Sequence, residues 1–345
     1  MLTPVVRRVI VAGIAGATAI GLAAGPAFAA TKPVTRLAGS DRIATSIAIS
    51  NQEFPTAHSA RNVILTAAYT FADAMSAGPL GKVLTAPLLL TPPGALGATT
   101  LSEIERVLPV PVPNTPGTTT MGCTNALPAN AVYVIGGDEA IAAAVDASLN
   151  AAGFNVVRVA GADRFATSVD VAQCEGSPST VFLATGDIFA DALSAGPAAA
   201  STGGSVLLTD STVLPAEVST YLATLTSPIV YAVGQAAHVA DPAAAPIVGS
   251  DRYATAALVA TQFFPSPTLV GIATGTNFPD ALAGGSFMGM EGGPVLLSDP
   301  AVLTSADGTY IGQDHATLTQ AFLFGGTVTL SAHLATQVGT ALNQS

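Results

Sequence analysis

Gly39-Ser40-Asp41-Arg42-Ile43-Ala44-Thr45 recurs as Gly161-Ala162-Asp163-Arg164-Phe165-Ala166-Thr167 and again as Gly249-Ser250-Asp251-Arg252-Tyr253-Ala254-Thr255. Self-similarity at this interval is the mark of a tandem architecture. Three further words follow each copy in the same order. The first is Phe71-Ala72-Asp73-Ala74, Phe189-Ala190-Asp191-Ala192 and Phe278-Pro279-Asp280-Ala281. Next comes an apolar word, Leu88 to Leu90, Val206 to Leu208 and Val295 to Leu297. Last is an apolar run ending in glycine, at Gly136-Gly137, Gly234 and Gly325-Gly326.

The spacings show where the copies differ. From the Asp of the first word to the Asp of the second is 32, 28 and 29 residues; from there to the glycine is 63, 43 and 45. The first copy thus holds an insertion, placed in the Pro/Thr-rich stretch 107–128 around Cys123. From Gly136 to the next Gly-x-Asp-Arg is 25 residues, but from Gly234 only 15, so the last helix of the second copy is expected to be truncated. The borders read as 31–153, 154–245 and 246–345.

Short apolar runs without polar alternation (Val63 to Leu65, Val132 to Ile135, Val181 to Leu183, Ile229 to Val233, Leu269 to Ile272) read as strands buried on both faces. Between them lie Ala-rich segments of helical length. After Gly-x-Asp-Arg, Ile43 and Ile47, Phe165 and Val169, and Tyr253 and Ala257 fall at i and i+4, on one helical face. The preceding Ser or Asp suits an N-cap. Strands joined by helices imply an α/β fold with parallel sheets covered on both sides.

Residues 1–29 read as a leader: Arg7 and Arg8, an apolar core Val9 to Gly25, then Ala27-Phe28-Ala29 as a small-x-small cleavage site. Export is therefore expected, with no membrane span in the mature chain. No cysteine follows the apolar core, and the C-terminus carries no hydrophobic tail, so surface attachment is expected to be non-covalent. An oxidising exterior permits Cys123 and Cys174, the two cysteines of the chain, to pair, and the sequence leaves that open.

Of 345 residues only 10% are charged and 50% are hydrophobic, which argues for a packed core rather than disorder. Basic residues number 11 against 22 acidic, a net charge of −11; without Arg7 and Arg8 the balance is 9 against 22, or −13. Such a chain offers no basic track for nucleic acid. His58, His238, His315 and His333 occupy no equivalent places in the copies, so no metal site is expected; no cofactor is expected either. Met288 and Met290 read as packing.

The repeated arginine stands out, because Arg252 is the one Lys or Arg after residue 164. One reading is structural: Arg42 held by Asp73, Arg164 by Asp191 and Arg252 by Asp280, each Asp also capping a helix. The other offers each guanidinium to a phosphate or carboxylate, which its planar fork suits. The two are compatible. An enzyme using the Asp/Arg sets and a self-associating surface protein are the rival readings to a binding module. Copies favour the module, since weak sites on one body gain avidity on a repeating polymer.

The four words in fixed order, three times over, resemble the cell-wall-binding repeat type 2 family, over almost the whole mature chain. The resemblance implies three Rossmann- or Toprim-like units arranged as a pseudo-threefold trimer within one chain, with the Leu88, Val206 and Val295 words at its centre. It also implies a secreted Gram-positive protein that binds anionic cell-wall glycopolymers non-covalently. This chain departs mildly, with Leu or Val where the family word begins with Ile. No separate domain is expected beside the copies, so the function is expected to come from them.

Overall fold

The computed structural model describes residues 31–109, 116–123 and 127–344. The leader expected over 1–29 and part of the 107–128 stretch lie outside the described residues. The chain runs β1 (Val34–Leu37), α1 (Arg42–Glu53), β2 (Val63–Ala67), a 3-10 turn (Ala74–Ser76), α2 (Leu80–Leu84), β3 (Leu88–Thr91), α3 (Ala98–Val107), β4 (Thr119–Met121), β5 (Ala131–Ile135), α4 (Ala143–Ala151) and β6 (Asn155–Val159). It continues with α5 (Arg164–Glu175), β7 (Thr180–Thr185), α6 (Ala190–Thr202), β8 (Ser205–Thr209), α7 (Ala216–Thr224), β9 (Ile229–Val233), α8 (Gln235–Ala240) and β10 (Ala245–Ile247). The last part is α9 (Arg252–Phe263), β11 (Leu269–Thr274), α10 (Pro279–Glu291), β12 (Val295–Ser298), α11 (Ser305–Asp314), β13 (Gln320–Phe324) and α12 (Ala332–Leu342).

Every letter of the first word has a local role. Asp41, Asp163 and Asp251 are extended N-caps whose carboxylates accept from the amides of Ala44, of Phe165 and Ala166, and of Ala254. The threonine hydroxyls of Thr45, Thr167 and Thr255 accept the amides of Gly39, Gly161 and Gly249, each at 3.1 Å. A Cβ on any of those glycines would overlap the helix that follows, so the loop folds back only on glycine.

The strands form three all-parallel sheets, ordered β3-β2-β5-β6-β4, β10-β9-β7-β8 and β1-β13-β11-β12. These sheets do not follow the borders drawn from sequence. The strand that opens each copy completes the sheet of the copy before it: β6 pairs with β5, and β10 with β9. The first strand of the chain closes the circle, with Val34 to Leu37 paired in register with Ala321 to Phe324.

Phe71, Phe189 and Phe278, one from each copy, meet on the pseudo-threefold axis. Their ring centroids lie 5.8, 5.4 and 6.2 Å apart, two of the three contacts being edge-on. Each such pair contributes about 0.5–1.5 kcal/mol beyond its buried area. The apolar words share core clusters with these three rings. They are the inner edge strands β3, β8 and β12, fully buried, and each packs against the central segment of another copy: β3 on α10, β8 on the 3-10 turn and β12 on α6. The edge backbone of two of these buried strands is partly satisfied by serine, since the amide of Leu90 donates to Ser46 Oγ and that of Leu208 to Ser168 Oγ.

The extra length of the first copy adds an outer strand, β4, parallel to β6. A disulfide joins Cys123, just after β4, to Cys174 near the end of α5, with Cα atoms 5.1 Å apart; it ties the inserted stretch to the second copy. The expected truncation is α8, six residues against nine in α4 and eleven in α12. Met288 is fully buried and Met290 packs against a core cluster.

Candidate functional site

The three arginines do not pair with the aspartates of their own copies. Asp73 lies near Arg164 and the Thr167 hydroxyl, Asp280 near Arg42 and the Thr45 hydroxyl, and Asp191 near Arg252, close enough that each of these groups lowers the pKa of its acid. Each set spans a junction, because α5, α9 and α1 pack on the central segments of the copies that precede them around the ring. The expected pairs Arg42–Asp73, Arg164–Asp191 and Arg252–Asp280 therefore give way to Arg164–Asp73, Arg252–Asp191 and Arg42–Asp280. Nor are these contact ion pairs, since the described residues hold no salt bridge between them. The Asp side chains also make no capping bond, so the expected cap is absent.

What holds each arginine is its own copy. Arg42 Nη1 donates to Ala68 O at 2.9 Å, Arg164 Nη1 to Gly186 O at 2.6 Å and Arg252 Nη1 to Gly275 O at 2.6 Å, all just past a strand end. The guanidinium then lies across the junction phenylalanine: Arg42 sits 5.7 Å from the Phe278 centroid and Arg252 5.6 Å from that of Phe189. One Nη of each fork is thus engaged, and all three side chains remain half-buried.

The aspartates sit deeper, against the glycine that ends the neighbouring strand. Gly136, Gly234 and Gly325 have φ of +112°, +85° and +113°, and a Cβ on any of them would press on Asp73, Asp191 or Asp280 respectively. Two demands therefore coincide at these turns: a left-handed backbone and room for a carboxylate. Burial raises the pKa of all three acids. The Thr167 and Thr45 hydroxyls and the facing arginines temper this for Asp73 and Asp280, while Asp191, with Arg252 as its one counterweight, is pushed up to about 6.

Two arginines escaped the sequence reading. Arg36 on β1 donates to Gly325 O at 2.7 Å, and buried Arg158 on β6 donates to Gly136 O and Ile141 O, both at 2.8 Å. Arg158 also grips Asp146 of α4 with two bonds, Nε at 3.1 Å and Nη2 at 2.6 Å. Both arginines brace the glycine turn of the neighbouring site. Their signal was present as Arg-x-x-Gly-x-Asp-Arg, but in two copies only; the third has Pro246, beside the short α8.

At the junction between the third and first copies these groups border a polar cleft of about 360 Å³, with Ser40, Arg42, Asn277, Asp280, Thr327 and Val328 in its wall. Tyr69, 59% exposed, lies over Arg42 at 5.2 Å and adds an aromatic face next to it. All of this sits beyond the carboxyl ends of parallel strands, the usual place for ligands in α/β sheets. Among the described residues, no group of three or more His, Cys, Asp and Glu side chains could hold a metal ion, and no helix is long and apolar enough to cross a membrane.

Comparison with known proteins agrees with this architecture. Two structures from Clostridium difficile share the fold: Cwp6, with a TM-score of 0.77 at 20% identity over 91% of this chain and 48% of that one, and Cwp8, at 0.76 and 22% over 90% and 52%. Two Bacillus subtilis (strain 168) proteins are related in sequence. The N-acetylmuramoyl-L-alanine amidase LytC is 25% identical over 319 residues, and the amidase enhancer 28% over 312. These alignments take in 91% and 87% of this chain but only 59% and 39% of the relatives. The model of cell wall binding domain 2 (CWB2) matches residues 36–146, 158–243 and 247–335, so the chain belongs to the CWB2 family.

Proposed function

We propose that this is a secreted, non-catalytic protein that attaches to cell-wall glycopolymer through its three junctions. The observation that carries the reading is the threefold recurrence of one half-buried arginine at a strand-end site. Each guanidinium is fixed by a backbone carbonyl, and those of Arg42 and Arg252 also by a phenylalanine, with donors left over for a phosphate or carboxylate on the polymer. Three such points on one rigid body add avidity along a repeating chain. The net charge of the mature chain, 9 − 22 = −13, opposes an anionic polymer at long range, so contact depends on these local donors and is salt-sensitive.

The test is retention of the protein on isolated walls before and after phosphodiester removal. Retention that disappears with the glycopolymer supports the proposal. Retention that survives favours self-association or another wall component. Incubation with purified wall while following released reducing ends and free amines tests the absence of catalysis. Release that vanishes on replacing Asp73, Asp191 and Asp280 would make the protein an enzyme.

A further inference from the structure

Among the described residues, a cleft larger than the one beside Arg42 lies between elements of the first and second copies. It measures about 840 Å³ and is walled by Val83, Leu127, Tyr221 and Leu225, with the Cys123–Cys174 disulfide at its edge. That volume and apolar lining suit a small ligand. No lysine or arginine borders it; the ionisable side chains on it are Glu175, Glu217 and Tyr221. Both oxygens of the Glu175 carboxyl are buried without a hydrogen-bond partner, and the nearby Ser205 hydroxyl is also unpaired. The Ser205 hydroxyl is the one donor near enough to temper the raised pKa of this carboxyl, yet it makes no hydrogen bond of normal geometry to it, so the carboxyl can take a further donor from a ligand.

We propose that this cleft binds an aliphatic primary amine, its alkyl stem on the Val83, Leu127, Tyr221 and Leu225 wall and its ammonium on the Glu175 carboxylate. The mature chain's net charge of 9 − 22 = −13 attracts such a cation. A metal ion is a poor fit, as the cleft offers no cluster of three ligating side chains. Burial lifts Glu175 to about 8, with Ser205 acting the other way, so at neutral pH the ammonium must displace a proton. The groups around it are Tyr221 and Glu217 on α7, Ser205 on β8, and Lys82 on α2, which borders the smaller cavity on the other side of Glu175 without bridging to it.

The probes are n-hexylamine, 1-hexanol and an N-acetylated peptide whose sole amine is a lysine side chain, titrated calorimetrically into the full mature chain. Saturable binding of either amine, at least tenfold weaker in Glu175→Gln and for hexanol, upholds the proposal; the tighter amine tells a free from a peptide-borne source. At pH 7 two buffers of different ionisation enthalpy should report a proton released on binding. Equal binding by wild type and Glu175→Gln, or hexanol binding as tightly as hexylamine, overturns it. Should Glu175→Gln fail to fold, Leu225→Trp fills the cleft and leaves the carboxyl in place: lost binding supports the site, and unchanged binding refutes it.

Discussion

Arg42 lies over the ring of Phe278, 5.7 Å from its centroid, although the two residues come from opposite ends of the chain. The same relation holds between Arg252 and Phe189, at 5.6 Å. The repeated word is therefore a device for joining neighbours. Its Asp and Thr fold the loop of one copy, and its Arg reaches toward the copy that precedes it around the ring.

Coupling between Arg and Asp should follow the junctions. In a double-mutant cycle on thermal or denaturant unfolding, Arg164→Ala with Asp73→Asn should couple by about 0.5–1 kcal/mol, while Arg164→Ala with Asp191→Asn should be additive. Each Arg→Ala alone should cost about 1–2 kcal/mol through its carbonyl bond and, for Arg42 and Arg252, its aromatic contact. Additivity in the first cycle and coupling in the second would restore pairing within copies. For wall retention, Arg42→Lys should keep the charge yet weaken binding, because the fork is lost.

Gly234→Ala should destabilise by more than about 2 kcal/mol, since the new Cβ meets both a φ of +85° and the Asp191 carboxylate. Gly326→Ala, in open space and without a positive φ, should stay within about 0.5 kcal/mol of wild type. Combining Gly234→Ala with Asp191→Ala should recover part of the loss, leaving the backbone strain. Chemical unfolding of the four variants checks the series.

Asp307, at the start of α11, is fully buried, and burial pushes it up to about 7 against the opposing pull of the nearby Thr304 and Ser298 hydroxyls and the Thr304 backbone. Its folded pKa is raised, so the neutral acid is the form the fold prefers. Stability from this group is intact below the ordinary aspartate value and is lost as pH rises to about 7. Asp307→Asn should therefore melt near wild type at pH 4.5 and clearly above it at pH 7.5. A melting difference that is the same at both pH values would contradict this.

Replacing Cys123 and Cys174 by serine releases a link across 51 residues. The expected loss is about 2–4 kcal/mol. Wild type treated with reductant should melt with the double variant, and the variant itself should be indifferent to reductant.

Residues 246–345 alone should not give a soluble, cooperatively melting monomer. That segment would leave β13 without β1 and would expose the buried β12 edge where α6 packs. A well-behaved monomer would show that a copy stands by itself.

Much of this was legible in the sequence, and the remainder was hidden for definable reasons. The words gave the α/β class, the strands, the helix starts at Asp41, Asp163 and Asp251, and the short α8, because each depends on local chemistry or spacing. Which Asp meets which Arg was not legible. Three copies carry the same letters, and only the topology, with β6 and β10 lying in the preceding sheets, decides that Arg164 turns toward Asp73. The strand β4 was hidden as well, since Thr119-Thr120-Met121 is short, exposed and without alternation. Arg36 and Arg158 were passed over because the third copy breaks their pattern at Pro246.

The pairing of Val34 with Ala321 has a consequence for the order of events in synthesis. The first strand of the described chain emerges early, but its partner is among the last residues made. Until β13 appears, β1 has no sheet to join, and the amide of Lys32 cannot reach the Asn343 side chain that receives it. Contacts of such long sequence separation form slowly, because the intervening chain must be ordered first. A nascent molecule is thus an open arc, and the ring is sealed only once β13 has been made and meets β1.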